Sequence, residues 1–279
     1  MKEVTFYKYQ GAGNDFLIAD NRAGELHLTT EQIAALCDRR YGVGADGLML
    51  LEKSQEYDFR MVYFNSDGSG GMMCGNGGRC MVAFAADQGI GHFDFDAADG
   101  FHTAQILAAE ENVKTVRLKM KDVEDIEHYE SLTGVNVPSN GCFLDTGTRH
   151  YVRFVSGLES YDILSEGREI RYGAKELQPV GANVNYVQAS GNGVMVRTYE
   201  KGVEDETFAC GTGIVASCVA SYVAGLNPSE TCSDGRVRYD VLARRDALSV
   251  DFLPSKDHLA EDVWLTGPAT YVAKICVKL

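Results

Sequence analysis

Proline and tryptophan are scarce in this chain, five and one in 279 residues, and no apolar run approaches the roughly 18 residues that a membrane-spanning helix needs. Met1-Lys2-Glu3-Val4-Thr5 carries an acid and lacks the apolar core of a secretory signal. The eight cysteines form no Cys-x-x-Cys pair and are too sparse for a disulfide framework, so free thiols in a reducing cytoplasm are expected. Basic residues are also short: 26 Lys and Arg against 40 Asp and Glu leave a net charge of −14. A surface that acidic repels phosphate backbones, which argues against nucleic-acid and anionic-membrane partners and leaves small zwitterions as ligands. No loop ends in Gly-Lys-Ser/Thr, and Gly11-x-Gly13 and Gly42-x-Gly44 lack the third glycine of a dinucleotide fingerprint. The six histidines show no i, i+4 pair, so no metal site is expected. What is present, 45% hydrophobic and 24% charged residues, is the composition of a folded protein with one large domain or two of ordinary size.

The chain repeats itself. Cys74-Gly75-Asn76-Gly77 returns as Cys210-Gly211-Thr212-Gly213, 136 residues later. Tyr63-Phe64-Asn65-Ser66 aligns with Thr198-Tyr199-Glu200-Lys201 at an offset of 135, and Gly44-Ala45-Asp46 with Gly181-Ala182-Asn183 at 137. Gly11-Ala12-Gly13-Asn14 aligns more weakly with Asp145-Thr146-Gly147-Thr148 at 134. Four blocks in one order at a nearly constant offset predict two structurally equivalent halves.

Each Cys-Gly block opens a helix. One continues from Gly78 through Asp87 to a stop at Gly89, the other from Ile214 through Ala224 to a stop at Gly225. Both are apolar or small on nearly every face, the pattern of a helix buried all round. Alternating runs at 60–64, 116–120, 194–197 and 248–252 predict strands that wrap these helices. A further helix follows Thr29, which stands at capping-box spacing from Gln32 and puts Ile33, Leu36 and Cys37 on one face. The acidic stretch 121–128 reads as a solvated linker or edge, and the domain change is placed there.

A thiol just ahead of a buried helix lies near the unpaired N–H groups of the first turn, which favour the thiolate. The same groups bind anions, and glycines at 75, 77, 211 and 213 let a ligand approach the backbone closely. Two such thiols on opposite sides of one cleft suit inversion at a tetrahedral carbon: one removes a proton from one face, the other supplies a proton to the opposite face. A substrate carboxylate would sit between the helix ends, in a closed and dry site. The alternative is that Cys74 and Cys210 are ordinary buried thiols, the reading kept for the other six cysteines.

Gly11-Ala12-Gly13-Asn14-Asp15-Phe16, Phe64-Asn65-Ser66-Asp67-Gly68-Ser69, Cys74-Gly75-Asn76-Gly77-Gly78-Arg79 and Ala209-Cys210-Gly211-Thr212-Gly213 resemble the signature blocks of the diaminopimelate epimerase family, from about residue 5 to the C-terminus. The resemblance implies a cofactor-independent, two-base conversion of LL- to meso-diaminopimelate in lysine and peptidoglycan biosynthesis. It implies that Cys74 and Cys210 are the acid/base pair, with His150 and Glu200 beside them tuning proton transfer. Gly75, Asn76, Gly211 and Thr212 would hold the reacting carboxylate, and Asn14, Asn65, Asn183, Glu200 and Lys201 would contact the substrate, several at its distal end. The implied fold is α+β: two pseudo-symmetric domains, each a curved, mostly antiparallel sheet or barrel around a central buried helix. Residues 1–121 with 267–279 would form the first and 122–266 the second, the last strand, from Tyr271 to Leu279, returning to the first. Members of the family often pair, which makes a homodimer the expected assembly.

Three positions depart from the family pattern. Gly147-Thr148-Arg149-His150 stands where Gly-Asn-Pro-His is common, Lys201 replaces an Arg, and Gly47 stands where some members carry Gln. Lys keeps the charge of Arg but not its bidentate fork, so Arg149 is a candidate to supply the missing guanidinium. Alternatives keep the fold but change the amino acid, for instance to histidine or hydroxyproline, or make the thiols a redox couple or sensor, or make the chain a non-catalytic solute-binding module. Leu144-Asp145-Thr146-Gly147 resembles an aspartic-protease loop, but the second such aspartate is missing.

Overall fold

The computed structural model describes residues 3–71 and 73–279, and the chain divides into two compact units, Met1–Lys119 with Thr266–Leu279 and Met120–Leu265. The first unit contains β1 (Glu3–Gly11), β2 (Asn14–Asp20), α1 (Thr30–Cys37), β3 (Gly47–Glu52), β4 (Phe59–Asn65), α2 (Gly75–Asp87), β5 (Asp94–Ala97), β6 (Gly100–Glu110) and β7 (Val113–Lys119). The second holds β8 (Glu127–Tyr129), β9 (Gly141–Asp145), β10 (Arg149–Phe154), α3 (Ile163–Gly173), β11 (Asn183–Ser190), β12 (Gly193–Glu200), β13 (Asp205–Thr207), α4 (Gly211–Val223), β14 (Glu230–Thr231), β15 (Val237–Leu242) and β16 (Ala247–Pro254). The final strand, β17 (Ala260–Lys278), begins in the second unit and ends in the first.

In the first unit the strands close into a barrel. β17 pairs with β1, β1 with β2, β3 with β4, β5 with β6, β6 with β7 and β7 with β17, all antiparallel, while β2–β3 and β4–β5 are parallel. A parallel pair needs a crossover, and both crossovers here are helical. The β2-to-β3 crossover carries α1, whose Thr29–Gln32 capping box is formed in both directions. The β4-to-β5 crossover carries α2, which packs on β1, β2, β3, β6 and β7 and is buried from Gly75 to Ala85. Closing the sheet removes its edges, and the helix fills the interior that closure creates. Burying Met81, Val82 and Phe84 contributes about 2 kcal/mol each.

The second unit repeats this order. β9–β10 is antiparallel, β10–β11 parallel, β11–β12 antiparallel, β12–β15 parallel and β15–β16 antiparallel. Again one crossover helix, α3, links the first parallel pair, and the other, α4, links the second and is buried from Gly213 to Ser221. α2 and α4 each have 13 residues, and each stops at a glycine in the left-handed region, Gly89 (φ 85°) and Gly225 (φ 79°). Ile90 N then bonds Ala85 O, and Leu226 N bonds Ser221 O, both at 3.0 Å, the six-to-one bond that closes a helix C-terminus.

The strands expected at 60–64, 116–120, 194–197 and 248–252 are present as β4, β7, β12 and β16, with β7 ending at Lys119. The two central helices begin at Gly75 and Gly211, directly after the cysteines of the two Cys-Gly blocks. First-turn N–H groups have no helical partner in any case, so glycine weakens a first turn less than an interior one. Among the described residues no helix is long and apolar enough to cross a membrane.

Candidate active site

Cys74 and Cys210 are the N-caps of α2 and α4, with nearly the same backbone: φ −108°, ψ 130° and φ −106°, ψ 110°. Their carbonyls accept the first helical bonds, from Gly78 N at 2.7 Å and Ile214 N at 2.9 Å. Both thiols are half-buried. Cys232 is half-buried too and Cys276 is exposed, whereas Cys37, Cys80, Cys142 and Cys218 are buried, and burial pushes Cys37 to about 11, Cys142 to about 12 and the other two higher still. Those four are inert packing residues.

Around Cys74 the side chains are charged. Its Sγ lies 3.7 Å from Asn14 Oδ1, and Asn14 Nδ2 donates to Asp46 Oδ2 at 2.7 Å. Arg39 ties Asp46 to Asp15, at 2.5 and 2.6 Å, and Lys8 pairs with Asp15 at 2.8 Å. Burial would raise the Asp15 carboxyl, but the bonds from Arg39 and Lys8 together outweigh it and hold the group at about 2. Inside the first turn of α2, the fully buried Arg79 donates to Asn76 Oδ1 at 2.8 Å and Gly75 O at 3.3 Å. Asn65, at the end of β4, donates to Ser69 Oγ at 3.0 Å, and the loop beyond folds so that Gly71 lies against the Tyr63 ring.

Hydroxyls, an imidazole and an amide form a hydrogen-bonded set beside Cys210. Its Sγ lies 3.6 Å from Thr212 Oγ1. Thr212 Oγ1, Thr148 Oγ1 and His150 Nε2 form a triangle with sides of 2.8, 2.9 and 3.0 Å. Thr146 Oγ1 donates to the Thr212 carbonyl at 3.0 Å, anchoring the β9–β10 turn to the helix start. His150 is fully buried, and that burial pushes its imidazole down to about 3, so the ring is neutral at pH 7. Behind it, Asn185 Nδ2 lies 3.0 Å from His150 Nδ1 and 3.4 Å from the Tyr151 carbonyl, while Asn185 Oδ1 accepts from Thr198 Oγ1 at 2.9 Å.

Three further expected residues meet at the ends of β11 and β12. Asn183 Oδ1 accepts from Lys201 N at 2.9 Å, Asn183 Nδ2 donates to the Arg149 carbonyl at 3.2 Å, and Glu200 Oε2 accepts from Thr207 Oγ1 at 2.7 Å. The Lys201 residue is exposed. Arg149 does not meet them as a cation. Neighbours on a strand face opposite ways, so with His150 turned to α4 the Arg149 guanidinium stacks over the Phe143 ring, 4.9 Å from its centroid.

Asp46, Arg39, Asn185, Thr198 and Thr148 are among the members of these shells that the sequence reading did not single out as site residues. For two of them a signal exists in the repeat: Thr148 aligns with Asn14, and Asp46 with Asn183.

Two units of one topology, each wrapping a central helix, define a class of fold that other structures share. A Bacillus anthracis phenazine biosynthesis protein of the PhzF family superposes with a TM-score of 0.73 at 16% identity, covering 100% of both chains. A hydroxyproline epimerase from Agrobacterium vitis superposes at 0.69 and 12%, over 99% of this chain and 93% of that one. Residues 6–124 match the model of the diaminopimelate epimerase family. Diaminopimelate epimerases from Flavobacterium psychrophilum and Chlorobaculum tepidum are 43% and 42% identical, over 96% of this chain and 98% and 99% of their own. The chain belongs to the diaminopimelate epimerase family.

Proposed function

We propose that this chain converts LL- to meso-diaminopimelate without a cofactor, with Cys74 and Cys210 serving in turn as base and acid. The observation that carries the reading is a cysteine repeated at the N-cap of a buried helix, in two units of one topology, in a chain 43% identical to a diaminopimelate epimerase over nearly its full length.

In this reading each unit contributes one thiol. A thiolate takes the α-hydrogen as a proton, and the electron pair left behind delocalises into the α-carboxylate. The second thiol then gives its proton to the opposite face of the carbon. The pair ends as it began, one thiol and one thiolate, with the roles exchanged. First-turn N–H groups at Gly75, Asn76, Gly211 and Thr212 are suited to the carboxylate on which charge develops. Asn14, Asn65, Asn183, Glu200 and Lys201 would hold the rest of the substrate, and His150 and Glu200 would stand beside the thiols. The net charge of −14 fits a small zwitterionic substrate rather than a nucleic acid. Free thiols as acid and base also require a reducing compartment, the cytoplasm.

The test is solvent deuterium incorporation into LL-diaminopimelate in D₂O with reductant, followed by NMR, beside a panel of single L-amino acids. Conversion to the meso form with deuterium at one α-carbon, lost in both Cys74→Ala and Cys210→Ala, is the expected result. Exchange into another amino acid alone would move the chain to a related racemase. Turnover of an oxidant with no exchange anywhere would make the thiols a redox pair.

A further inference from the structure

Residues 201–204 join β12 to β13, and Lys201 stands at the start of that turn. Two of its residues, Gly202 (φ 94°) and Glu204 (φ 59°), adopt the left-handed backbone. Glycine does so freely, whereas a residue with a side chain does so rarely. The turn closes through Glu204 N, which donates to the Glu200 carbonyl at 2.7 Å. The Glu204 carboxylate then folds back over the turn. Its Oε1 accepts from Gly202 N at 3.1 Å and its Oε2 from the Tyr199 hydroxyl at 3.3 Å.

Behind the carboxylate stands Arg171, from the last turn of α3, with Nη2 3.5 Å from Glu204 Oε1. The guanidinium has little freedom. A Cβ on Gly181 (φ 69°) would lie 2.0 Å from Arg171 Nη1, so the group rests against bare backbone on that side. The Tyr172 ring covers it at 4.9 Å. Helix α3 is itself seated on β12, because a Cβ on Gly167 would stand 2.6 Å from the Tyr199 side chain. Arg171 and Glu204 together tie the Gly202 amide to a packed helix.

The amide before it is tied as well. Asn183 Nδ2 donates to the Arg149 carbonyl, which leaves Asn183 Oδ1 to accept from Lys201 N at 2.9 Å. Lys201 therefore stands between two fixed N–H groups, its own and that of Gly202, although the residue is exposed. Such fixing matters more for a lysine than for an arginine. A guanidinium makes two parallel bonds to a carboxylate and brings its own orientation, whereas an ammonium is a point charge on a flexible stem. Where that charge goes depends on where the backbone beneath it is held. Arg149, stacked on the Phe143 ring, lends no help.

We propose that Glu204, backed by Arg171, is the positioning residue for Lys201 and so sets how tightly the far end of the substrate is held. The proposal rests on the reading above, in which Lys201 contacts the substrate. The far end does not change as the α-carbon inverts, so this contact serves substrate and transition state alike. Its loss should appear in KM and leave kcat in place.

The experiment follows epimerisation of LL-diaminopimelate by the reduced full-length protein and by Glu204→Ala, Glu204→Gln, Lys201→Met and the Lys201→Met/Glu204→Ala pair. Glu204→Ala is expected to raise KM about tenfold with kcat within about twofold. Glu204→Gln keeps an Oε1 for both Gly202 and Arg171, and its KM is expected to stay near that of the parent. In the Lys201→Met background Glu204→Ala is expected to add nothing, as holds for a residue that acts through another. Hydrogen exchange at the Gly202 amide, measured by NMR without substrate, should quicken about tenfold or more in Glu204→Ala and stay slow in Glu204→Gln. An unchanged KM in Glu204→Ala, an equal rise in the Lys201→Met background, or an unaltered Gly202 exchange rate would each overturn the proposal. A parent that does not epimerise at all would sink the reading, and the proposal with it. A parent that does, with Glu204→Ala indistinguishable from it, would sink the proposal alone.

Discussion

Asn14 and Thr148 occupy equivalent positions of the repeat and face equivalent helix starts, yet their surroundings have little in common. Asn14 belongs to an ion-pair cluster of Lys8, Asp15, Arg39 and Asp46, whereas Thr148 belongs to a neutral set of hydroxyls, an amide and an imidazole. The backbone around the two cysteines agrees within about 20°. Duplicated topology has therefore conserved the placement of two sulfurs while leaving their chemistry free to diverge. An inversion catalyst gains from that, because its two groups must hold different protonation states at any moment.

The largest expected effect treats the halves alike. Cys74→Ala and Cys210→Ala should each lower epimerisation of diaminopimelate by about 10³-fold or more, as loss of a positioned acid or base does. Circular dichroism should show both variants folded. If one variant kept turning over, the equivalence of the two sites would be broken.

Next comes a pair that should behave differently. A Cβ at Gly213 would stand 2.3 Å from Asn185 Oδ1, an atom fixed by Thr198, and 3.2 Å from His150 Cε1. At the equivalent Gly77 the nearest atom is Met49 Sδ at 3.3 Å, on a side chain that can yield. Urea unfolding should find Gly213→Ala destabilised by about 2–3 kcal/mol and Gly77→Ala within about 1 kcal/mol of the parent.

Acid should also find the second unit first. His150 is buried neutral with its pKa lowered to about 3, so the unfolded chain takes up a proton near 6.5 that the folded chain refuses. Its stabilisation is complete above pH 6.5 and falls by about 1.4 kcal/mol for each pH unit below that, until about 3. Asp15 works lower, its contribution being lost only as pH falls through the range from 3.8 to about 2. Urea midpoints at pH 7 and pH 5 should therefore differ in the parent and differ less in His150→Asn. The smallest effect is expected at Arg39, whose side chain is 55% exposed and whose pairs are solvent-screened. Arg39→Ala should cost about 1 kcal/mol or less in urea unfolding.

Much of this was legible in the sequence, since the repeat spaces both Cys-Gly blocks, their buried helices and the glycine stops where the structure has them. The Thr29 capping box is local and was equally visible. Asn185 and Thr198 were not. Their meaning depends on the β10–β11 and β11–β12 registers, which bring His150, Asn185 and Thr198 onto one buried path, and no local pattern encodes a register. Arg79 stood in the quoted Cys74 block without a role, because its full burial against Asn76 and Gly75 is a matter of tertiary packing. Helix α3 went unread although Asp162 caps it through Ser165 N and its buried face, Ile163, Glu166, Gly167 and Ile170, recurs at helical spacing, because two of those four residues are a glutamate and a glycine.

β17 sets an order of assembly. The residues of the second unit, 120–265, are continuous, so all of its pairings are in hand once residue 265 has been made. The first unit is interrupted: β1 and β7 both wait for 266–278, and until that strand arrives its barrel is an open sheet with two bare edges. On the ribosome the half bearing Cys210 can mature while the half bearing Cys74 is still incomplete, so residues 266–278 decide when a second sulfur acquires its helix and its shell. A message truncated just short of them would yield a protein with one finished half, an unsealed barrel and a ready template for aggregation.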